Sequence, residues 1–189
     1  MIARFGDNYY CNKKRWLTYY RQIEFTQQVC DKNSSILVVG PGDYIVPDIF
    51  KYNLKYKTDT YDIDKGGTYV GDVRHFASLV HDKYDVILCC EVLEHFPFEE
   101  FGAIVTNLVD RTKKRLILSM PVFLGEKKVS PQHKWELGWR VEISEITEFL
   151  KHFGEVTIKL QDRFIFFVVD INPYFKKYLK ISLKTLFFH

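Results

Sequence analysis

The chain has 189 residues, of which 47% are hydrophobic and 27% charged, a balance that excludes wholesale disorder and is enough for one domain with a sizeable core. A net charge of +3 and a pI of about 8.5 fall short of the basic footprint of a domain built around nucleic acid. Four cysteines with no C-x-x-C spacing argue against a disulfide framework and for a reducing, cytoplasmic setting.

The opening stretch MIARFGDNYYCNKKRW has no apolar h-region and no cleavage site, so no signal peptide is expected. No stretch approaches the roughly 18 uninterrupted apolar residues of a membrane span. Residues 13–31 carry Trp16, Tyr20, Ile23 and Cys30 at near-helical intervals, which predicts a helix. Residues 35–39 form a short β-branched run that stops at Gly40-Pro41-Gly42-Asp43, a strand followed by a turn. A helix is expected over 44–53, then short strands over 57–62 and 68–72. Residues 84–90 read as the clearest buried strand. A helix over 97–108 follows, with proline in its first turn, and a strand over 115–120 is stopped by Pro121. A loop of some two dozen residues leads to a helix near 144–153, and 155–160 with 163–171 read as a closing hairpin.

Strands alternating with helices predict an α/β, Rossmann-like, doubly wound fold: a mainly parallel seven-stranded sheet, a C-terminal antiparallel hairpin and helices on both faces. Residues 1–34 are expected to pack on a core formed by 35–171, with 172–189 as a tail of the same domain. Ligands of such folds bind at the carboxyl ends of the strands. Four strand ends here are polar: Gly40 to Asp43, Asp62 to Asp64, Asp72, and Glu91 to His95.

Gly40 and Gly42 let the backbone approach a ligand closely, and Asp62 lies 22 positions after Gly40, where an acid would hold a ribose. A dinucleotide fingerprint needs a small residue at position 45, which is Ile45. An adenosine ligand without a pyrophosphate is therefore preferred over a nicotinamide dinucleotide. In Glu91-Val92-Leu93-Glu94-His95, a helical path would put Glu91, Glu94 and His95 on one face. That is either a site or an ordinary helix start whose acids favour the positive end of the helix dipole.

The segments ILVVGPGD, TYDID, GDVRHF, YDVILCCEVLEHF and RLILSMP, in this order over roughly residues 35–170, resemble the successive motifs of class I S-adenosylmethionine-dependent methyltransferases. The resemblance implies that Gly40 and Gly42 pass the methionine part of S-adenosyl-L-methionine, and that Asp62 binds its ribose. It implies that Asp72 faces the adenine amino group beside Val73, and that Glu91 lies near the methionyl end. Two positions depart from the family: Val38 stands where an acid is usual and Tyr44 where a glycine is common, with Asp43 as the candidate replacement for the acid. EVLEH is also similar to the metal-binding E-x-x-E-H set of small-RNA 3′-end 2′-O-methyltransferases and some ubiquinone-pathway O-methyltransferases. The implied ligands of Mg²⁺ or Mn²⁺ are Glu91, Glu94 and His95, completed by His133 after the fifth strand. Without a metal, His95 or His133 would serve as general base.

No N-P-P-Y type stretch follows the 84–90 strand, which disfavours amino-group acceptors of the nucleobase and glutamine kind. The expected reaction is O-methylation of a small molecule or sugar. The alternatives are a metal-assisted methyltransferase acting on an RNA ribose 2′-hydroxyl and a catalytically silent methyltransferase-like binding protein. The loop from Phe123 to Val141 is the expected lid, with Trp135 and Trp139 either stacking on substrate or packing the loop down. The tail, PYFKKYLKISLKTLFFH, has the pattern of a basic amphipathic helix that suits a membrane surface, the sheet or a second subunit; monomer and homodimer are both open.

Overall fold

The structure is a computed structural model that describes residues 12–64, 66–123 and 130–174. In chain order its elements are α1 (Lys13–Gln27), β1 (Ser35–Val39), α2 (Ile45–Asp48, continued by a π-helical turn Ile49–Asn53), β2 (Lys57–Asp62), β3 (Tyr69–Val70), α3 (Phe76–Leu79) and β4 (Tyr84–Cys90). They continue as α4 (Phe98–Arg111), β5 (Thr112–Pro121), β6 (Glu136–Leu137), β7 (Arg140–Val141), α5 (Ile143–Lys151), β8 (Gly154–Gln161) and β9 (Phe164–Ile171).

Seven strands form one sheet in the order β3-β2-β1-β4-β5-β9-β8. The five strands from β3 to β5 run parallel, and β9 is antiparallel to both β5 and β8. The reason is visible along β1 and β4. Ile36 and Val38, with Val86 and Leu88, face one apolar layer, while Leu37 and Val39, with Ile87 and Cys89, face the other. A strand buried on both faces needs a cover on each. Tyr19 and Phe25 of α1 with Val46 of α2 cover the first face. Ile104 and Leu108 of α4 with Ile146 and Leu150 of α5 cover the second.

Local chemistry sets the helix ends. Asn12 caps α1 by accepting from the Lys14 amide at 3.0 Å. α1 ends four residues before the expected position 31, where the Asp31 amide donates to Ser34 Oγ and the Asn33 amide to Asp31 Oδ1 in a tight turn. α4 carries Glu99 and Glu100 in its first turn and Arg111 in its last, the charge order that its dipole favours. The sequence pattern missed the single-turn α3, whose four residues are too few to show a period.

The order of strands reverses between β1, which leads to β2 and β3 on one side, and β4, which leads to β5 on the other. The carboxyl ends of β1 and β4 are thus the topological switch point, where an open α/β sheet leaves a crevice. Among the described residues no helix is long and apolar enough to cross a membrane. The tail from residue 175 onward, on which the expected membrane-surface contact falls, lies outside the described residues.

Candidate active site

A cavity of about 580 Å³ opens at this switch point. Its floor is Val38 to Gly42 at the end of β1 and Cys90-Glu91 at the end of β4. One wall is α1, through Lys14, Arg15, Tyr19 and Gln22, and the other is formed by Glu94, His95, Gln132, His133 and Glu136.

Gly40 holds the turn together. It has φ +62, and a Cβ there would lie 2.4 Å from the Val92 Cγ2, so only glycine allows the chain after β1 to run this close to the chain after β4. Its amide donates to the Tyr61 carbonyl at 2.8 Å. Gly42 is also left-handed, at φ +65. Asp43 does not line the cavity. Its carboxylate accepts from the Ile45 amide at 3.1 Å and from the Tyr19 hydroxyl, so it braces the turn ahead of α2 and ties α1 to it. The candidate replacement for the missing acid is thereby already engaged.

Asp62, Asp72 and Val73 sit beyond the cavity, at the ends of the adjoining strands. Asp62 is buried and accepts from the Asp64 amide at 3.1 Å. Asp72 caps the 3-10 turn Val73–His75 and takes a two-pronged contact from the Arg74 guanidinium, at 3.0 and 2.7 Å. Those bonds hold the Asp72 carboxyl below its usual range. Val73 is buried in the core.

The EVLEH segment is not an α-helix. Glu91 has φ +57 and only Leu93–His95 form a 3-10 turn, so Glu91, Glu94 and His95 do not share a helical face. The Glu91 carboxylate instead accepts from Arg15 Nη1 at 2.8 and 2.6 Å. Glu94, His95 and His133 do converge, each offering a ligand atom within 4.8 Å of the others. Of the implied set of four ligands, Glu91 therefore lies outside the cluster, held by a cation of its own.

Glu94 is 1% exposed, and its Oε2 has no hydrogen-bond partner among the described residues. Burial raises its carboxyl well above the usual range, and the charges of Glu91 and Glu136 add to the effect. The His95 and His133 rings meet edge-on, with centroids 5.1 Å apart. Burial pulls the His95 imidazole below its usual range, which keeps it neutral near pH 7. His95 Nδ1 lies 3.3 Å from the Gln132 carbonyl oxygen, and His133 Nδ1 lies 2.6 Å from Glu136 Oε1. Each ring is thus engaged at Nδ1, leaving Nε2 for other work. One carboxylate oxygen without a partner and two imidazoles make a donor set that fits a divalent cation, and the nitrogens favour Mn²⁺ over the oxygen-seeking Mg²⁺.

The segment carrying His133 is docked firmly. The Lys134 amide donates to the Glu94 carbonyl at 2.7 Å. Trp135, 1% exposed, donates from its indole to the Phe96 carbonyl at 3.0 Å and packs on Phe98 and Phe101. It is a packing residue, closed off from any substrate. Trp139 stacks under the Arg140 guanidinium at 4.3 Å. Arg15, Gln132 and Glu136 are site residues that the pattern did not single out. Glu136 had a signal, three positions after His133 in one loop, whereas nothing in the local sequence marks Arg15.

No protein-family model matches the chain. A stretch of 44 residues, 23% of the chain, is 46% identical to magnesium-protoporphyrin O-methyltransferase of Synechocystis and spans 19% of that protein. The solved structure of the magnesium protoporphyrin IX methyltransferase from Synechocystis with bound S-adenosylmethionine superposes with a TM-score of 0.61 at 14% identity, covering 84% of this chain and 80% of that one. A methyltransferase from Archaeoglobus fulgidus gives 0.62 at 12%, covering 82% and 94%. A small RNA methyltransferase gives 0.63 at 19%, covering 91% of this chain and 26% of that one. These likenesses show that the fold is the Rossmann-like fold of those methyltransferases.

Proposed function

We propose that this chain, which has the class I methyltransferase fold, transfers a methyl group from S-adenosylmethionine to an oxygen acceptor whose hydroxyl meets Glu94, His95 and His133. One observation carries the reading: a single cavity joins the glycine turn after β1 to that three-residue cluster.

The donor's methionine part runs past Gly40 and Gly42, where the backbone is bare enough for close approach. Its ribose and adenine extend over the ends of β2 and β3, toward Asp62, Asp72 and Val73. Asp72 stays ionised at neutral pH because Arg74 holds it, so it accepts a hydrogen bond from an amino group. Glu91 stands at the methionyl end and is kept in place by Arg15.

At the acceptor end, Glu94, His95 and His133 would hold a divalent cation, which supplies an anchor for neighbouring substrate oxygens and lowers the pKa of a bound hydroxyl. Without a cation, the neutral His95 ring would instead take the hydroxyl proton at Nε2. α1 on one side and the docked 130–137 segment on the other flank the reacting atoms. Orientation within this cavity supplies much of the rate.

A hydroxyl of a small molecule or sugar is the first acceptor class. An RNA ribose is the second reading, favoured by the cluster itself, since Glu94, His95 and a histidine after β5 meet here as the resemblance to the small-RNA enzymes implies. The test is methyl transfer from labelled donor to panels of sugars, small hydroxylated compounds, RNA 3′ ends and amines, with and without Mn²⁺. The expected result is transfer to oxygen, stimulated by Mn²⁺ and lost in His133→Ala while S-adenosylhomocysteine still binds. Transfer to amines, or indifference to the metal, would overturn the reading.

A further inference from the structure

We infer that Glu136 is the positioning residue of the acceptor end: its carboxylate fixes the His133 ring with the proton on Nδ1 and the Nε2 lone pair available to substrate or cation. The inference rests on the proposed function for its purpose, while the tautomer it assigns is a property of the protein alone.

The geometry is specific. His133 Nδ1 and Glu136 Oε1 are 2.6 Å apart, and the two side chains are 17% and 10% exposed. An ionised carboxylate only accepts hydrogen bonds, so at this distance the ring nitrogen carries the proton. In the neutral imidazole the other nitrogen then holds the lone pair. Charge-assisted bonds of this kind are shorter and roughly twice as strong as neutral ones.

Glu136 is itself fixed. It lies between Trp135 and Leu137, which are buried at 1% and 0% exposure. Its backbone is closed into the β6–β7 turn by reciprocal bonds with Trp139, at 3.3 and 2.9 Å. The Ser130 amide lies 3.5 Å from the same Oε1. The carboxylate therefore stays put while the ring aligns to it.

His95 shows the same arrangement with a neutral partner, its Nδ1 lying 3.3 Å from the Gln132 carbonyl oxygen. Both imidazoles thus take their orientation from oxygens of one loop, residues 132–136. That loop is pinned to the 3-10 turn by the Lys134 amide and the Trp135 indole. Outer partners that orient a ligating histidine typically change metal affinity 10- to 100-fold when removed.

Two readouts test the assignment. Long-range ¹⁵N–¹H correlation spectra at about pH 8, where a free imidazole is neutral, report which nitrogen of His133 carries the proton. Electron paramagnetic resonance with Mn²⁺ alone gives the cation affinity. The parent and Glu136→Gln, whose amide oxygen still accepts, are expected to show the Nδ1–H form. Glu136→Ala is expected to shift His133 toward Nε2–H and to weaken Mn²⁺ roughly 10- to 100-fold, with S-adenosylhomocysteine affinity unchanged.

An Nε2–H form in the parent, or an unchanged tautomer in Glu136→Ala, would overturn the inference. If Glu136→Ala does not fold, the parent spectrum and the shorter carboxylate of Glu136→Asp still decide it. If the parent binds no Mn²⁺ yet Glu136→Ala shifts the His133 tautomer as expected, the positioning role stands and only the cation leaves the proposed function.

Discussion

Arg15 Nη1 lies 2.8 and 2.6 Å from the two carboxylate oxygens of Glu91, which joins the helix ahead of the first strand to the carboxyl end of β4. The same helix reaches the glycine turn through Tyr19 and Asp43, and the β8–β9 turn through Lys14 and Asp162 at 2.7 Å. α1 is therefore part of the cavity wall rather than an appendage to it.

Replacing Arg15 with Ala removes a charge-assisted contact that is about three-quarters buried. The expected loss is about 1–2 kcal/mol, or roughly 2–8 °C in melting temperature for a chain of this size. Arg15→Lys should recover part of it. An unchanged melt would mean that the pair contributes nothing to holding α1.

Gly40→Ala puts a Cβ 2.4 Å from Val92 in a left-handed conformation. Backbone strain of this kind costs about 1–3 kcal/mol, and Val92 must move as well. Because the turn borders the cavity, the stabilisation by S-adenosylhomocysteine should vanish even in the fraction that folds by circular dichroism. A variant with parental ligand response would contradict the assignment of this turn to the donor.

Glu94→Gln exchanges a buried carboxylate with an unpartnered oxygen for a neutral amide of the same size. The metal-free protein should melt higher, by about 1–3 kcal/mol of relieved desolvation, while Mn²⁺ binding is lost. Lower stability together with retained Mn²⁺ binding would mean that the carboxylate serves the fold instead of the site.

Asp72 tests the acid limb of stability. Its folded pKa is lowered, first by the Arg74 side chain, so the folded state prefers the ionised form. The contribution is complete above the unfolded value of about 3.9 and is lost as pH falls through the folded value. Asp72→Ala should therefore cost about 1 kcal/mol at neutral pH through the lost cap. Urea titrations should show that difference shrinking once pH drops below about 4. A difference that stays constant with pH would assign the loss to packing rather than charge.

Local sequence carried the sheet well, because a doubly covered parallel strand such as Tyr84–Cys90 shows up as an unbroken apolar run. It carried the site only in part. Glu94 and His95 were legible as chemistry-bearing types at a strand end and His133 only through the resemblance to the small-RNA enzymes, and the structure brings the three together. Glu91 was misplaced because the helical face assumed for EVLEH requires ordinary φ, whereas the residue adopts φ +57, which no local pattern signals in a glutamate. Arg15 and Glu91 are separated by 76 positions. Such a contact follows from topology, which a single sequence does not spell out residue by residue. For Trp135 the sequence allowed both stacking and packing, and its burial against Phe98 and Phe101 settles on packing.

The central claim is that the cavity beginning at Gly40 and Gly42 takes the methyl donor. Thermal melting of the protein with S-adenosylhomocysteine, with NAD as the comparison ligand, tests it most directly. At about 100 times the dissociation constant the ligand adds about 2.7 kcal/mol, which for this chain length is a rise of roughly 5–10 °C. That rise with S-adenosylhomocysteine alone is the predicted result. No shift at saturating ligand, or an equal shift with NAD, would contradict the account.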